Sequence, residues 1–218
     1  MEEIRAGAAG FVVAGLIEVI NANRAHLSEI DGAIGDGDHG INMSKGFTTA
    51  GARLVAAPGP PAGLARALAV LGETLVDDVG GSMGPLYGNF FGAMSEALGD
   101  RELLDAATLS AMLGAGLDAI QEVGGAKVGD KTLLDALVPA RTAFDAARAG
   151  GLPFTECLAR MASAAEEGKE STRGLVARVG RASRLGERSR GVLDAGATSC
   201  ALLLQSMARS IGDALASG

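Results

Sequence analysis

An all-α antiparallel bundle of about eight helices is the fold class that three observations predict. About eight segments carry apolar residues at helical spacing and alternate with short loops, and none shows the period-2 alternation or Val/Ile/Tyr enrichment of a strand. Hydrophobic residues make up 48% of the chain, yet aromatics are only 3% and tryptophan is absent, so the core is built of Ala and Leu between closely packed helices. With 218 residues and no shift in composition, residues 1–218 read as one domain.

The first helix is predicted over about Glu3 to Arg24, where Ile4, Phe11, Leu16, Ile17 and Ile20 share a face. The second runs from about Gly40 to Ala56 and stops at Pro58-Gly59-Pro60-Pro61, and the third from about Ala62 to Asp78. The fourth opens near Pro85, a residue suited to a first turn, and reaches Leu98. A polar connection leads to the fifth, about Thr108 to Val123, and the sixth covers about Thr132 to Ala149, with Pro139 expected to kink it or sit in an early turn. The seventh is predicted over about Pro153 to Arg178 with a break near Gly168, and the eighth over about Ala197 to Ala216.

The loops carry the chemistry. Asp31 to Asn42 (DGAIGDGDHGIN) holds three carboxylates, four glycines, a histidine and an asparagine in twelve residues. Carboxylates so close repel unless a cation lies between them, and their oxygens suit a hard ion such as Mg²⁺. Glycine lets a ligand approach the backbone, and His39 and Asn42 offer directional hydrogen bonds. A calcium loop is excluded: with Asp36 and Asp38 as first and third ligands, Phe47 falls where a bidentate Glu is required.

Gly80 to Gly88 (GGSMGPLYG) feeds a helix N-terminus whose free N–H groups suit an anion. Gly124 to Thr132 (GGAKVGDKT) is a second glycine-rich loop with two lysines, but its spacing is not that of a phosphate-binding P-loop and no strand precedes it. Gly180 to Gly191 (GRASRLGERSRG) places four arginines in an otherwise acidic chain, and the arginine fork suits phosphate oxygens. In an up-and-down bundle alternate loops share an end. These four follow the first, third, fifth and seventh helices, so they converge on one face and build a site for a Mg²⁺-polyphosphate, hence a nucleotide.

The formal charge of −7 argues against nucleic-acid or anionic-membrane partners, which call for a basic face. Cys157 and Cys200 have no metal spacing and do not make a secreted disulfide framework, so buried thiols in a reducing cytoplasm are expected. No apolar run approaches the roughly 20 residues that span a bilayer, and Glu2 and Glu3 reverse a signal peptide's basic opening.

These four stretches, with Gly80–Phe91 (GGSMGPLYGNFF), Gly129–Leu137 (GDKTLLDAL) and Gly180–Ser199 (GRASRLGERSRGVLDAGATS) in order, closely resemble the L subunit family of dihydroxyacetone kinases. The resemblance implies an eight-helix barrel whose rim binds ADP or ATP through two Mg²⁺ ions. It implies that Asp31, Asp36 and Asp38 hold the metals and that His39, Gly40, Ile41 and Asn42 line the nucleotide. Ser82, Met83 and Gly84 would meet phosphate, Gly124 and Leu133 would flank the base, and Arg181 with Asp194, Ala195 and Gly196 would close the site.

The chain departs from the family at Ser82-Met83, commonly Ala-Ser, and at Ala195, commonly Pro. As partners, the resemblance implies a K subunit that holds dihydroxyacetone covalently on a histidine and, in the phosphotransferase-linked form, a phosphohistidine-carrying M subunit that recharges ADP. Alternative readings are an ATP-dependent kinase component for another small ketose, or a nucleotide-binding module that signals its occupancy to a regulator.

Overall fold

A computed structural model describes residues 2–217. Among them are nine α-helices: α1 (Phe11–Ala22), α2 (Arg24–Ile34), α3 (His39–Ala56), α4 (Leu64–Asp78), α5 (Met83–Leu98), α6 (Ala106–Val123), α7 (Leu134–Ala149), α8 (Phe154–Ser171) and α9 (Ala195–Ser217). Each packs on its neighbour from α3 through to α9, and α1 touches both α3 and α9, so the helices close into a ring. Their inward faces form the core, with Phe47 edge-on to Phe91 at 6.0 Å and Phe90 edge-on to it at 5.2 Å. Phe47, Phe90 and Phe91 are buried there, whereas Phe11 is 43% exposed.

The expected first helix is divided. Glu3–Arg5 forms a short strand, β1, that pairs antiparallel with β2, Leu103–Asp105, where no strand was expected. Gly10 passes close against the Ala62 carbonyl, which a Cβ there would approach at 2.0 Å, and the helix starts at the next residue, Phe11. Asn23 then interrupts it: its backbone leaves helical geometry at φ −103°, ψ 10°, and its side-chain amide donates to the Val19 carbonyl at 2.8 Å. The following turn makes α2, which carries Asp31 on a helix rather than in the loop.

Two further boundaries differ. The expected break near Gly168 is absent, because Gly168 serves a contact. Pro139 lies inside α7 and has no N–H to give the carbonyl of Asp135 four residues earlier. Helix α8 crosses at that carbonyl, where a Cβ on Gly168 would lie 2.2 Å from the oxygen. The seventh helix also ends at Ser171 rather than Arg178. Thr172 there donates its hydroxyl to Lys169 O at 2.6 Å and accepts from Asp194 N at 3.0 Å, turning the chain into the arginine-rich loop.

Gly168→Ala should therefore destabilise the protein, even though alanine favours a helix by about 1 kcal/mol. Overpacking two backbones costs about 3 kcal/mol, which leaves a net loss of about 2 kcal/mol and a Tm lower by about 4–8 °C. An unchanged or raised Tm would show that α7 and α8 can separate freely.

No helix among the described residues is long and apolar enough to cross a membrane.

Candidate functional site

The loops after α2, α4, α6 and α8 meet at one end of the barrel around a cavity of about 530 Å³. The end-sharing expected from helix order is realised. A more open hollow of about 760 Å³ lies at the other end beside β1, but the carboxylate group described next is not there.

Asp31, Asp36 and Asp38 each place an oxygen within 4.8 Å of the others at the mouth of the cavity. Asp31 comes from the last turn of α2, and the other two flank Gly37, whose φ of +76° lets the chain reverse between them. Asp31 also accepts the His39 N–H at 3.3 Å, at the start of α3, where the helix dipole favours negative charge. The guanidinium of Arg181 pairs with Asp36. One arginine against three carboxylates leaves a net negative centre, and an all-oxygen donor set of this kind fits Mg²⁺.

Helix α3 begins hard against α2: a Cβ on Gly40 would lie 2.0 Å from the Arg24 carbonyl. His39 beside it is buried, and its pKa falls to about 4 because burial disfavours the imidazolium, the nearby Asp31 opposing this. The opposite wall is the glycine-rich turn Gly80–Met83, which opens α5 with no side-chain cap on its first N–H groups. Leu86, Ile120 and Leu133 add an apolar side beneath Gly124, a surface suited to a flat aromatic ring.

The Gly129–Thr132 loop is wound around one carboxylate. Asp135, buried in the first turn of α7, accepts Gly129 N–H at 2.6 Å and Thr132 N–H at 2.7 Å. Lys131 adopts a left-handed φ of 64°, unusual for a residue with a Cβ. Its buried ammonium donates to the carbonyls of Thr172 at 2.6 Å and Val192 at 2.5 Å. Desolvation holds its pKa below the ordinary lysine value. This lysine ties its loop to the arginine-rich one.

Asp194 caps α9, accepting Ala197 N–H at 2.7 Å. Burial raises its pKa to about 7 against that bond and the nearby Lys131. The pH consequences of Asp194 and His39 oppose each other. A carboxyl raised from its ordinary value of 3.8 to about 7 costs stability as pH rises through that window. A histidine lowered from 6.5 to about 4 adds stability as pH rises between those values. Asp194→Asn should remove the first slope, so that, relative to the native chain, the variant gains up to about 1.4 kcal/mol per pH unit through this window. Denaturant titrations at pH 4, 5 and 6 measure the difference, and parallel curves would show that Asp194 is solvated.

Of the positions expected from sequence, Asp31, Asp36, Asp38, His39, Asn42, Ser82, Met83, Gly124, Leu133, Arg181, Asp194, Ala195 and Gly196 line this one cavity. Gly40, Ile41 and Gly84 do not: Gly40 and Gly84 are buried in helix contacts and Ile41 is 47% exposed on the outer face. Leu86, Ile120, Lys131 and Thr132 line it without having been singled out. Their only sequence signal was membership of the loops or of the apolar helix faces below them.

A family model described as the DAK2 domain matches residues 33–209. The chain is 40% identical over 190 residues to the PEP-dependent dihydroxyacetone kinase 1, ADP-binding subunit DhaL, of Listeria innocua, covering 87% of this chain and 89% of that one. It is 37% identical to the PEP-dependent dihydroxyacetone kinase, ADP-binding subunit DhaL, of Escherichia coli, covering 88% and 90%. An L-erythrulose kinase of Pectobacterium atrosepticum is 32% identical over 87% of this chain, which spans 32% of that protein. Among solved structures, the dihydroxyacetone kinase of C. freundii superimposes with a TM-score of 0.71 at 27% identity, over 96% of this chain and 36% of that one. Its complex with AMP-PNP and Mg²⁺ superimposes with a TM-score of 0.67 at 27% identity, over 93% and 33%.

Proposed function

The chain belongs to the DAK2 domain family, and on that premise we propose that it is the ADP/ATP-binding, phosphoryl-donating subunit of a dihydroxyacetone kinase. The observation that carries this reading is the trio of carboxylates within 4.8 Å at the mouth of a cavity made by four glycine-rich loops. Asp31, Asp36 and Asp38 would hold two Mg²⁺ ions, which when bound neutralise phosphate oxygens of the nucleotide.

The protein's own groups do the rest. The N–H groups of Gly81 to Met83 cradle phosphate, the Leu86, Ile120 and Leu133 side takes the base, and Arg181 balances charge on the phosphoryl group in flight. Transfer breaks the bond from phosphorus to the nucleotide's bridging oxygen and forms one to a sugar hydroxyl, whose proton leaves to a base on the sugar-bearing protein. No side chain of this subunit needs to be phosphorylated, and its histidines, His26 and His39, need not carry the phosphoryl group.

Dihydroxyacetone would sit on a separate K subunit, and a phosphohistidine-bearing M subunit would rephosphorylate bound ADP, in keeping with the ADP-binding and PEP-dependent names of the relatives. A second reading changes only the sugar. Erythrulose kinases share about a third of their length with this chain, which supports a kinase component for another small ketose.

Purification without added nucleotide, desalting with Mg²⁺ and denaturation tests the proposal. Release of stoichiometric ADP is the expected result and identifies a retained coenzyme recharged by a phosphoprotein. An empty site that binds ATP reversibly would replace that donor by ATP itself. Failure to bind either nucleotide in excess Mg²⁺ would overturn the proposal.

A further inference from the structure

Beneath the cavity three helices are joined through buried polar side chains, two of which, Tyr87 and Ser199, the nucleotide reading leaves without a task. His39, at the start of α3, places Nε2 3.0 Å from the hydroxyl of Ser199 on α9. The same hydroxyl lies 2.7 Å from Tyr87 Oη on α5 and 3.0 Å from the Gly196 carbonyl. Tyr87 Oη is also 3.2 Å from that carbonyl. Tyr87 and Ser199 are at most 1% exposed, and Tyr87 is the chain's only tyrosine.

Counting protons around Ser199 selects one tautomer of His39. The Gly196 carbonyl can only accept, and Ser199 has a single proton to give. Three of the four contacts are satisfied either when Ser199 donates to Gly196 and Tyr87 to Ser199, or when Tyr87 donates to Gly196 and Ser199 to Tyr87, and both require His39 to donate to Ser199 through an Nε2–H; an accepting Nε2 would leave at most two satisfied. In either arrangement the serine oxygen accepts from His39 and gives its own proton away. The two hydroxyls are used up, as buried polar groups require. His39 lines the cavity, and its Nδ1 has no hydrogen-bond partner in the protein among the described residues.

We propose that Tyr87 and Ser199 are positioning residues that hold His39 in its Nε2–H tautomer, so that Nδ1 meets the nucleotide site as a hydrogen-bond acceptor. The group it takes is an O–H donor, either a hydroxyl of the bound nucleotide or a water on its metal. This rests on the nucleotide reading above for the identity of the ligand, but the tautomer is a property of the protein alone. It also gives Tyr87 and Ser199 a shared role at a distance from the cavity surface: neither side chain lines it. A ring in the other tautomer would present an N–H donor at Nδ1 and repel the same ligand group.

The chain has only two histidines, and His26 is exposed, so His26→Gln leaves His39 as the single imidazole in a long-range ¹H–¹⁵N spectrum. In the full-length protein at neutral pH, the expected spectrum shows an unprotonated Nδ1 and a protonated Nε2, before and after Mg²⁺-ADP is added. Ser199→Ala should mix the tautomers and weaken Mg²⁺-ADP about fivefold, the loss of one ordinary hydrogen bond. Tyr87→Phe should give a smaller change of the same kind, with the circular dichroism of the native fold in both.

A wild-type spectrum with the proton on Nδ1 would overturn the inference, and this stands even if Ser199→Ala fails to fold. So would a folded Ser199→Ala protein with the native tautomer and native affinity. A wild type that binds no Mg²⁺-ADP would overturn the nucleotide reading instead, and with it the ligand assigned to Nδ1, whatever the tautomer.

Discussion

Asp36→Ala is expected to abolish phosphoryl transfer through loss of the Mg²⁺-nucleotide while leaving the empty protein as stable as before. Asp36 lies on the exposed loop between Gly35 and Gly37, with its side chain 42% accessible, so its methylene contributes little to the core. Its carboxylate is one of three like charges within 4.8 Å, so removing it relieves repulsion in the apo protein and offsets the small loss of its exposed pairing with Arg181. On the proposed reading, the same deletion with nucleotide present removes a ligand to the metal. Loss of a residue behind a metal ligand costs 10–100-fold in affinity or activity, so loss of the ligand itself should exceed about 100-fold.

Two measurements separate these effects: thermal unfolding without ligand, and Mg²⁺-ADP affinity across a Mg²⁺ series. The expected pattern is an unchanged or slightly raised Tm beside a weakened affinity that high Mg²⁺ partly restores. Native transfer rates at modest Mg²⁺ would sink the assignment of the carboxylates.

What was legible in the sequence and what was not follows from the range of the interactions involved. The convergence of the four loops depends only on helix order and loop length, both of which are local, and it was readable from the pattern. The split at Asn23 was not. It depends on a side-chain amide bonding its own helix four residues back, and apolar spacing continues across it without a signal. Strand β1 was hidden for the opposite reason, since Glu3 to Arg5 is extended only because Leu103 to Asp105 is there to pair with it. Gly168 looked like a breaker because the carbonyl it meets belongs to Asp135, 33 residues away.

The site shows the same division. Charged and glycine-rich residues in the loops were visible as types, whereas Leu86 and Ile120 look like any other core positions. Lys131 was visible but its direction was not: a lysine beside glycines suggests an anion, and only the positions of the Thr172 and Val192 carbonyls reveal that its ammonium is already occupied.

Arg181→Ala should lower the rate of transfer by about 10³ with far less effect on nucleotide affinity, the signature of an arginine that balances charge developing during phosphoryl transfer. The segment that carries it, the 3₁₀ stretch Arg181–Ser189, does not depend on its guanidinium for its shape. Ser183 donates to the Gly180 carbonyl at 2.7 Å, and Ser189 donates to Gly186 O at 2.6 Å while accepting Ala177 N–H at 2.9 Å. Truncation at Arg181 therefore removes a charge and leaves the loop in place.

Arg181→Lys distinguishes charge from shape. In the structure the guanidinium already engages Asp36, and its planar fork can keep one N–H there while another reaches a phosphoryl oxygen. A compact ammonium on a flexible stem has no such fixed pair of donors, so lysine should recover little of the lost rate. Full recovery would mean that charge alone suffices and that the contact with Asp36 is incidental. A loss in affinity as large as the loss in rate would make Arg181 an anchor for the bound nucleotide. The double variant with Asp36→Ala decides whether the two act as a unit, because groups that work on one another lose less together than the sum of their separate losses.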